Sequence, residues 1–291
     1  MLAALVLGLV KGGIYGLLAV GLVLVYKGSR VLNFAQAEIG TMSLYVAYEV
    51  SGAHGAPYIV GALCAIAFAL VVGLGFERFV VRPMGDASRL TVAVATIGLF
   101  AMLLSIEAYV FGPNPYFLPL PFSGSGPQIL GVYVKPTEIF TLLFLPVFGL
   151  GLAYFLRRTD FGLGVLAAAE DTSASRLVGV RVARVSAFTW GIAAVLSAVG
   201  ALLIEPSIGL IAPGEIGTPL FVGGLAAALL GGLTSLPGAF VGGLVVGEIE
   251  AAATYLVPGS LLPGAAAVAL FMVIIAFLLL RPQGLLGRAA A

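Results

Sequence analysis

The chain has 291 residues, 61% of them hydrophobic and only 9% charged, against roughly a quarter charged in a soluble domain. At a mean hydropathy of +1.16 it has too few polar residues to coat a water-facing surface, so a lipid bilayer must cover most of it. A net charge of +1, one histidine and one cysteine exclude a nucleic-acid-binding face, a disulfide framework and a Cys/His metal site.

Apolar runs of about 18 to 25 residues, broken by charge, Pro or Gly, predict nine membrane segments. They lie near 3–26, 31–51, 57–78, 91–110, 136–156, 185–204, 216–234, 238–257 and 262–280. The first lacks a basic leader and outruns the roughly 7 to 15 residues of a signal-peptide core, so it reads as a retained span. Its Gly8, Gly12 and Gly16 recur every four residues, as do Gly238 with Gly242 and Gly243 with Gly247, which gives each helix a flat face for close packing. The second segment opens on Asn33, Gln36 and Glu38, three polar groups within six residues that are costly against lipid. They mark an interrupted or pathway-facing stretch, with Asn33 and Gln36 on one helix face and Glu38 turned about 200° from Gln36. His54 reads as a solvated loop residue and Cys64 as a small buried hydrophobe.

Between the fourth and fifth segments, the loop 111–135 carries Pro113, Pro115, Pro119, Pro121 and Pro127, a stiff non-helical cover on which a partner can dock. The next loop, 157–184, reads as two short helices. Phe161 to Gly164 leads into a helix from Val165 to Glu170, Asp171 or Thr172 caps a second over Ser173–Val178, and Gly179 stops it. The seventh and eighth segments are separated only by Ser235, Leu236 and Pro237, so one of them can be re-entrant and the total is eight to ten.

Basic residues orient the set. Apart from Lys11 and Lys135, the 14 Lys and Arg residues all flank alternate connections or the C-terminus, 12 on one side, which places the N-terminus outside and the C-terminus in the cytoplasm. Lys11 and Glu248 are charges inside spans. By helical rise both fall near the bilayer midplane beside glycine repeats, so they are expected to pair between the first and eighth spans, with Glu250 turned to the other side of its helix.

Four blocks carry a resemblance. They are Gly12-Gly13-Ile14-Tyr15-Gly16 running through Tyr26 to Asn33-Phe34-Ala35-Gln36-Ala37-Glu38, then Gly162-Leu163-Gly164 through Ala168-Ala169-Glu170-Asp171 to Leu177, Gly179 and Arg184, then Gly231-Gly232-Leu233-Thr234-Ser235-Leu236-Pro237-Gly238, and finally Leu280-Arg281-Pro282-Gln283-Gly284. Together they resemble the permeases of branched-chain amino-acid ABC importers, specifically the subunit type whose second span opens on Asn-Phe-Ala. The resemblance spans nearly the whole chain. It implies an all-α polytopic permease forming one domain over 1–291, multi-pass in the cell inner membrane. It also implies partners: a homologous second permease, two ATPases and an extracytoplasmic substrate-binding protein. The second block would be the ATPase coupling loop, with Gly162, Gly164, Ala168, Glu170, Asp171, Leu177 and Gly179 as its positions, while Asn33, Gln36 and Glu38 would border the substrate pathway. Two departures stand out: Leu166 where the family carries Arg, and Gln36-Ala37 where it carries His-Gly.

No Gly-x-x-x-x-Gly-Lys-Ser/Thr loop is present, so no ATP and no other cofactor is expected in this chain, and ATP hydrolysis is assigned to separate subunits. The cargo reads as a branched-chain or related amino acid, with urea or short amides as the alternative within the family. An ion-coupled secondary transporter would need ionisable groups at broken helices, for which Glu38 and Glu248 are weak candidates. A membrane enzyme lacks its parts, since there is no metal cluster and no Ser-His arrangement.

Overall fold

Apolar chain in lipid satisfies its own backbone by coiling, and this chain does so almost throughout. The computed structural model describes residues 2–85, 87–121, 124, 126–129, 132–170, 175, 179, 181–257, 264–281 and 283–287. Its helices are α1 (Leu2–Ser29), α2 (Gln36–Ala47), α3 (Tyr58–Phe76), α4 (Arg89–Val110), α5 (Pro136–Arg158), α6 (Asp160–Glu170), α7 (Val182–Ile208), α8 (Gly217–Gly231), α9 (Leu236–Leu256) and α10 (Ala265–Leu280). Single π-helical turns extend α2 (Tyr48–Ala53) and α3 (Glu77–Val81), and a small antiparallel hairpin joins β1 (Gln128–Ile129) to β2 (Val132–Tyr133).

Six helices are long and apolar enough to cross a membrane, α1, α3 with its π turn, α4, α5, α7 and α9, while α8 and α10 are shorter apolar helices. Each of the nine expected segments falls on a helix. At 15 residues α8 is about 22 Å long, short of a hydrocarbon core about 30 Å thick.

The second segment departs from expectation, because its helix begins at Gln36 and not near residue 31. Arg30 takes a left-handed φ of 57° where α1 ends, and its N–H still reaches the Tyr26 carbonyl at 2.7 Å. The Asn33 side chain then accepts the Ala35 N–H at 3.1 Å, a local turn that competes with helix until Gln36.

Of the six long helices α1 and α7 are the most buried, and α2 and α8 are enclosed with them. α1 packs on α9 along the glycine repeats: a Cβ at Gly12 would stand 2.8 Å from both the Gly243 carbonyl oxygen and the Leu244 Cα. Large apolar side chains remain exposed on the outer helices, among them Leu63, Val71, Val94, Met102, Leu143 and Phe271, a surface suited to lipid or to another subunit. One end of the bundle carries Arg30, Arg82, Arg157 and Arg184; at the other, Tyr116 after α4 pairs with Ile211 after α7. At the basic end Glu77, 1% exposed, receives Arg82 through two hydrogen bonds of 3.2 and 2.7 Å, and Arg82 also donates to the Ala183 carbonyl in the first turn of α7.

Candidate functional site

The start of α2 is buried in the bundle and joins Asn33 to Gln36, while Glu38 faces elsewhere. All three are enclosed, at 1%, 0% and 0% exposure. Gln36 Nε2 donates to the Ala193 carbonyl of α7 at 2.8 Å, Asn33 Nδ2 donates to Gln36 Oε1 at 3.4 Å, and the Ser197 hydroxyl donates to the Gln36 carbonyl. The Phe34 N–H reaches Thr96 Oγ1 of α4 at 3.2 Å. These bonds replace the helical ones that residues 31–35 give up, so Asn33 and Gln36 fasten the interruption to its neighbours.

Glu38 behaves differently. Neither of its carboxylate oxygens has a hydrogen-bond partner, and the side chain packs against the Gly217 backbone where α8 begins. Facing it across the α2–α4 contact is Glu107, also 0% exposed and also without a partner on either oxygen. Tyr45, one stretch further along α2, adds a buried hydroxyl with no partner that faces both carboxyls. Its ring stacks on Phe111 at 4.3 Å and meets Tyr116 edge-on at 6.2 Å, while Tyr48 packs on Tyr116 at 4.6 Å. Tyr116 exchanges backbone hydrogen bonds of 2.9 and 2.8 Å with Ile211, strapping the loop to the α7–α8 connection. Sequence reasoning passed over Glu107 and Tyr45. The signal was available, since a carboxyl within an apolar segment is a functional candidate by default.

The intramembrane ion pair forms with a different partner from the one expected. Lys11 Nζ lies 2.9 Å from Glu250 Oε1, and the Tyr15 hydroxyl donates to Glu250 Oε2 at 2.6 Å. Glu248 instead packs beside Gly8. The reason is the seam itself. With Gly243 and Gly247 pressed on α1, Glu250, three residues beyond Gly247, shares their face, whereas Glu248 stands about 100° around the helix.

At the basic end, α5 passes into α6 through an elbow. Thr159 is extended, with φ −102° and ψ 145°, and its hydroxyl accepts the Gly162 N–H at 3.0 Å, so it caps a helix that starts at Asp160 rather than near Val165 as expected. Gly162 lies against the backbone of Phe155 and Leu156, where a Cβ would come within 2.5 to 2.7 Å. Gly164 and the backbone of Ala168 and Glu170 continue α6. Of the expected second helix, Ser175 is helical, and Gly179 has φ +88° with open space around it. Asp171 and Leu177 lie outside the described residues. Leu166 lines a cavity of about 860 Å³ with Leu17, Val20, Leu156 and Phe240, and Lys27 and Arg157 also border it. Among the described residues, no group of three His, Cys, Asp or Glu side chains is placed to hold a metal.

Comparison with known proteins places this arrangement. A family model described as the permease component of branched-chain amino acid transport systems matches residues 4–281. The high-affinity branched-chain amino acid transport system permease protein BraD of Pseudomonas aeruginosa is 33% identical over 304 residues, covering 99% of this chain and 96% of the relative. The permease protein LivH of the corresponding system is 31% identical in Salmonella typhimurium and 30% identical in Escherichia coli, each over 297 residues covering 97% of this chain and 94% of the relative.

Proposed function

The chain belongs to the family of branched-chain amino acid transport permeases, and on that footing we propose that it is the membrane-spanning subunit of an ATP-driven importer of branched-chain or related amino acids. It sits in the cell inner membrane with its basic end in the cytoplasm. There it pairs with a homologous permease, engages two ATPase subunits, and receives cargo at the far end from an extracytoplasmic binding protein. The observation that carries this reading is the match over residues 4–281, together with 33% identity to BraD along nearly the whole chain.

The elbow at the basic end supports the division of labour. Gly162 seats α6 directly on the α5 backbone, and buried Val165 of α6 and Leu156 of α5 belong to the same core as α1. A displacement of α6 by an ATPase therefore passes directly to α5, on whose backbone Gly162 is seated. Asn33 and Gln36 serve the same reading as fasteners that hold α2 beside the path, and Glu38 completes that buried corner.

The test is reconstitution of this chain with its sister permease, ATPases and binding protein in sealed vesicles. Leucine uptake is expected to need ATP and to survive dissipation of proton and sodium gradients. Uptake that proceeds without ATP on an ion gradient overturns the reading. In the same system Gly179→Val forces a branched side chain into a left-handed conformation, a strain of about 1–2 kcal/mol, and is expected to lower uptake on the order of tenfold while ATP hydrolysis continues. Normal uptake by that variant removes the 157–184 loop from the mechanism.

A further inference from the structure

We propose that Glu38 and Glu107 form a proton-binding site, one proton bridging their two carboxyl groups and clasping α2 to α4 near the Tyr116–Ile211 strap at this end of the bundle.

The case begins with unmet hydrogen bonding. Both side chains are 0% exposed, they lie within hydrogen-bonding reach of each other, and all four of their oxygens lack a partner. Ionised carboxylates have acceptors only, so two of them cannot satisfy one another. Two bare negative charges at this separation in an apolar interior would also repel strongly. One shared proton removes both defects: it makes one carboxyl a donor and the other its acceptor, and it leaves the pair with a single negative charge.

The groups facing the pair leave that role to a proton. Among the described residues, none of the Lys, Arg or His side chains is paired with either carboxyl: Lys11 is held by Glu250 and Arg82 by Glu77. α8 contributes the Gly217 backbone and has no titratable side chain. From α2 comes the Tyr45 hydroxyl, itself 0% exposed and unpartnered, and beyond it Tyr116 of the loop. Glu205 of α7 is engaged elsewhere, with the Leu118 N–H and facing Tyr58 of α3. The Tyr45 hydroxyl bonds to neither carboxyl, while its ring packs on Phe111 and Tyr116, the strap on which the loop hangs.

The experiment uses the assembled transporter in lipid nanodiscs. The wild type is expected to show an infrared carbonyl band of a protonated carboxyl that shifts in D2O. Glu38→Gln and Glu107→Gln each replace the shared proton with an amide donor, so each should lose the band. Tyr45→Phe should keep it. If both Gln variants fail to fold, the wild-type band still decides. A wild type with no such band, or folded Gln variants that keep it unchanged, overturns the assignment.

Discussion

Replacing Gly12 by Ala adds one methyl group at the α1–α9 seam, and the structure sets what that costs. The new Cβ would stand 2.8 Å from the Gly243 oxygen, 2.8 Å from the Leu244 Cα and 3.0 Å from the Leu244 oxygen, all backbone atoms that cannot swing aside. Ordinary contact begins at 3.4 Å, so the two helices must part locally by about 0.6 Å. Overpacking of this kind costs about 1–3 kcal/mol, while removing a helical glycine returns about 0.5–1 kcal/mol. The mid-range net loss is therefore about 1 kcal/mol, which lowers the melting temperature by roughly 2 to 4 °C at about 2–4 °C per kcal/mol. The assay is thermal unfolding in detergent, followed by intrinsic fluorescence with size-exclusion recovery. Gly98→Ala on α4 is the matched control, since nothing lies within 4 Å of a Cβ there, and it should raise the melting temperature slightly. If Gly12→Ala is as harmless as Gly98→Ala, the seam is not held by backbone contact and the reasoning fails.

Two further outcomes follow from the ion pairs. Lys11→Met and Glu250→Gln should each destabilise the protein while the double variant recovers part of the loss, a coupling of roughly 0.5–3 kcal/mol; Glu248→Gln should show none with Lys11→Met, and equal coupling at both glutamates would contradict the geometry. Arg82→Met strands the buried Glu77 carboxylate and should cost about 3–5 kcal/mol, read as lost folded yield in the membrane, whereas the paired change with Glu77→Gln should restore most of it.

What the sequence made legible was whatever depends on solvent and spacing. Hydropathy located all nine segments because lipid imposes length and apolarity on each one separately, and the glycine repeats announced the α1–α9 seam because close approach demands small residues at helical period. Three features needed the fold. The choice of Glu250 over Glu248 turns on which face α9 offers to α1, and that rotation is fixed by packing rather than by either residue's neighbours. The start of α6 at Asp160 depends on a Thr159 hydroxyl that caps only once α5 has ended there. Glu38 and Glu107 are 69 residues apart in sequence, and nothing local to either carboxyl indicates that the other faces it.

The π turn at Glu77–Val81 makes residue count a structural variable in its own right. On an α-helix two residues five apart stand about 140° from one another and cannot pair. Here the Arg82 N–H bonds to the Glu77 carbonyl at 2.7 Å, an i to i+5 closure that winds one surplus residue into the turn and brings the two side chains into line. Deleting one of the intervening residues would set the glutamate and arginine four apart, a spacing that an ordinary α-helical turn also brings into line, so the π turn is what lets five residues do the work of four. An alignment gap at this turn is therefore a geometric statement: a homologue one residue shorter there keeps the pair on a plain α-turn and lacks only the surplus residue.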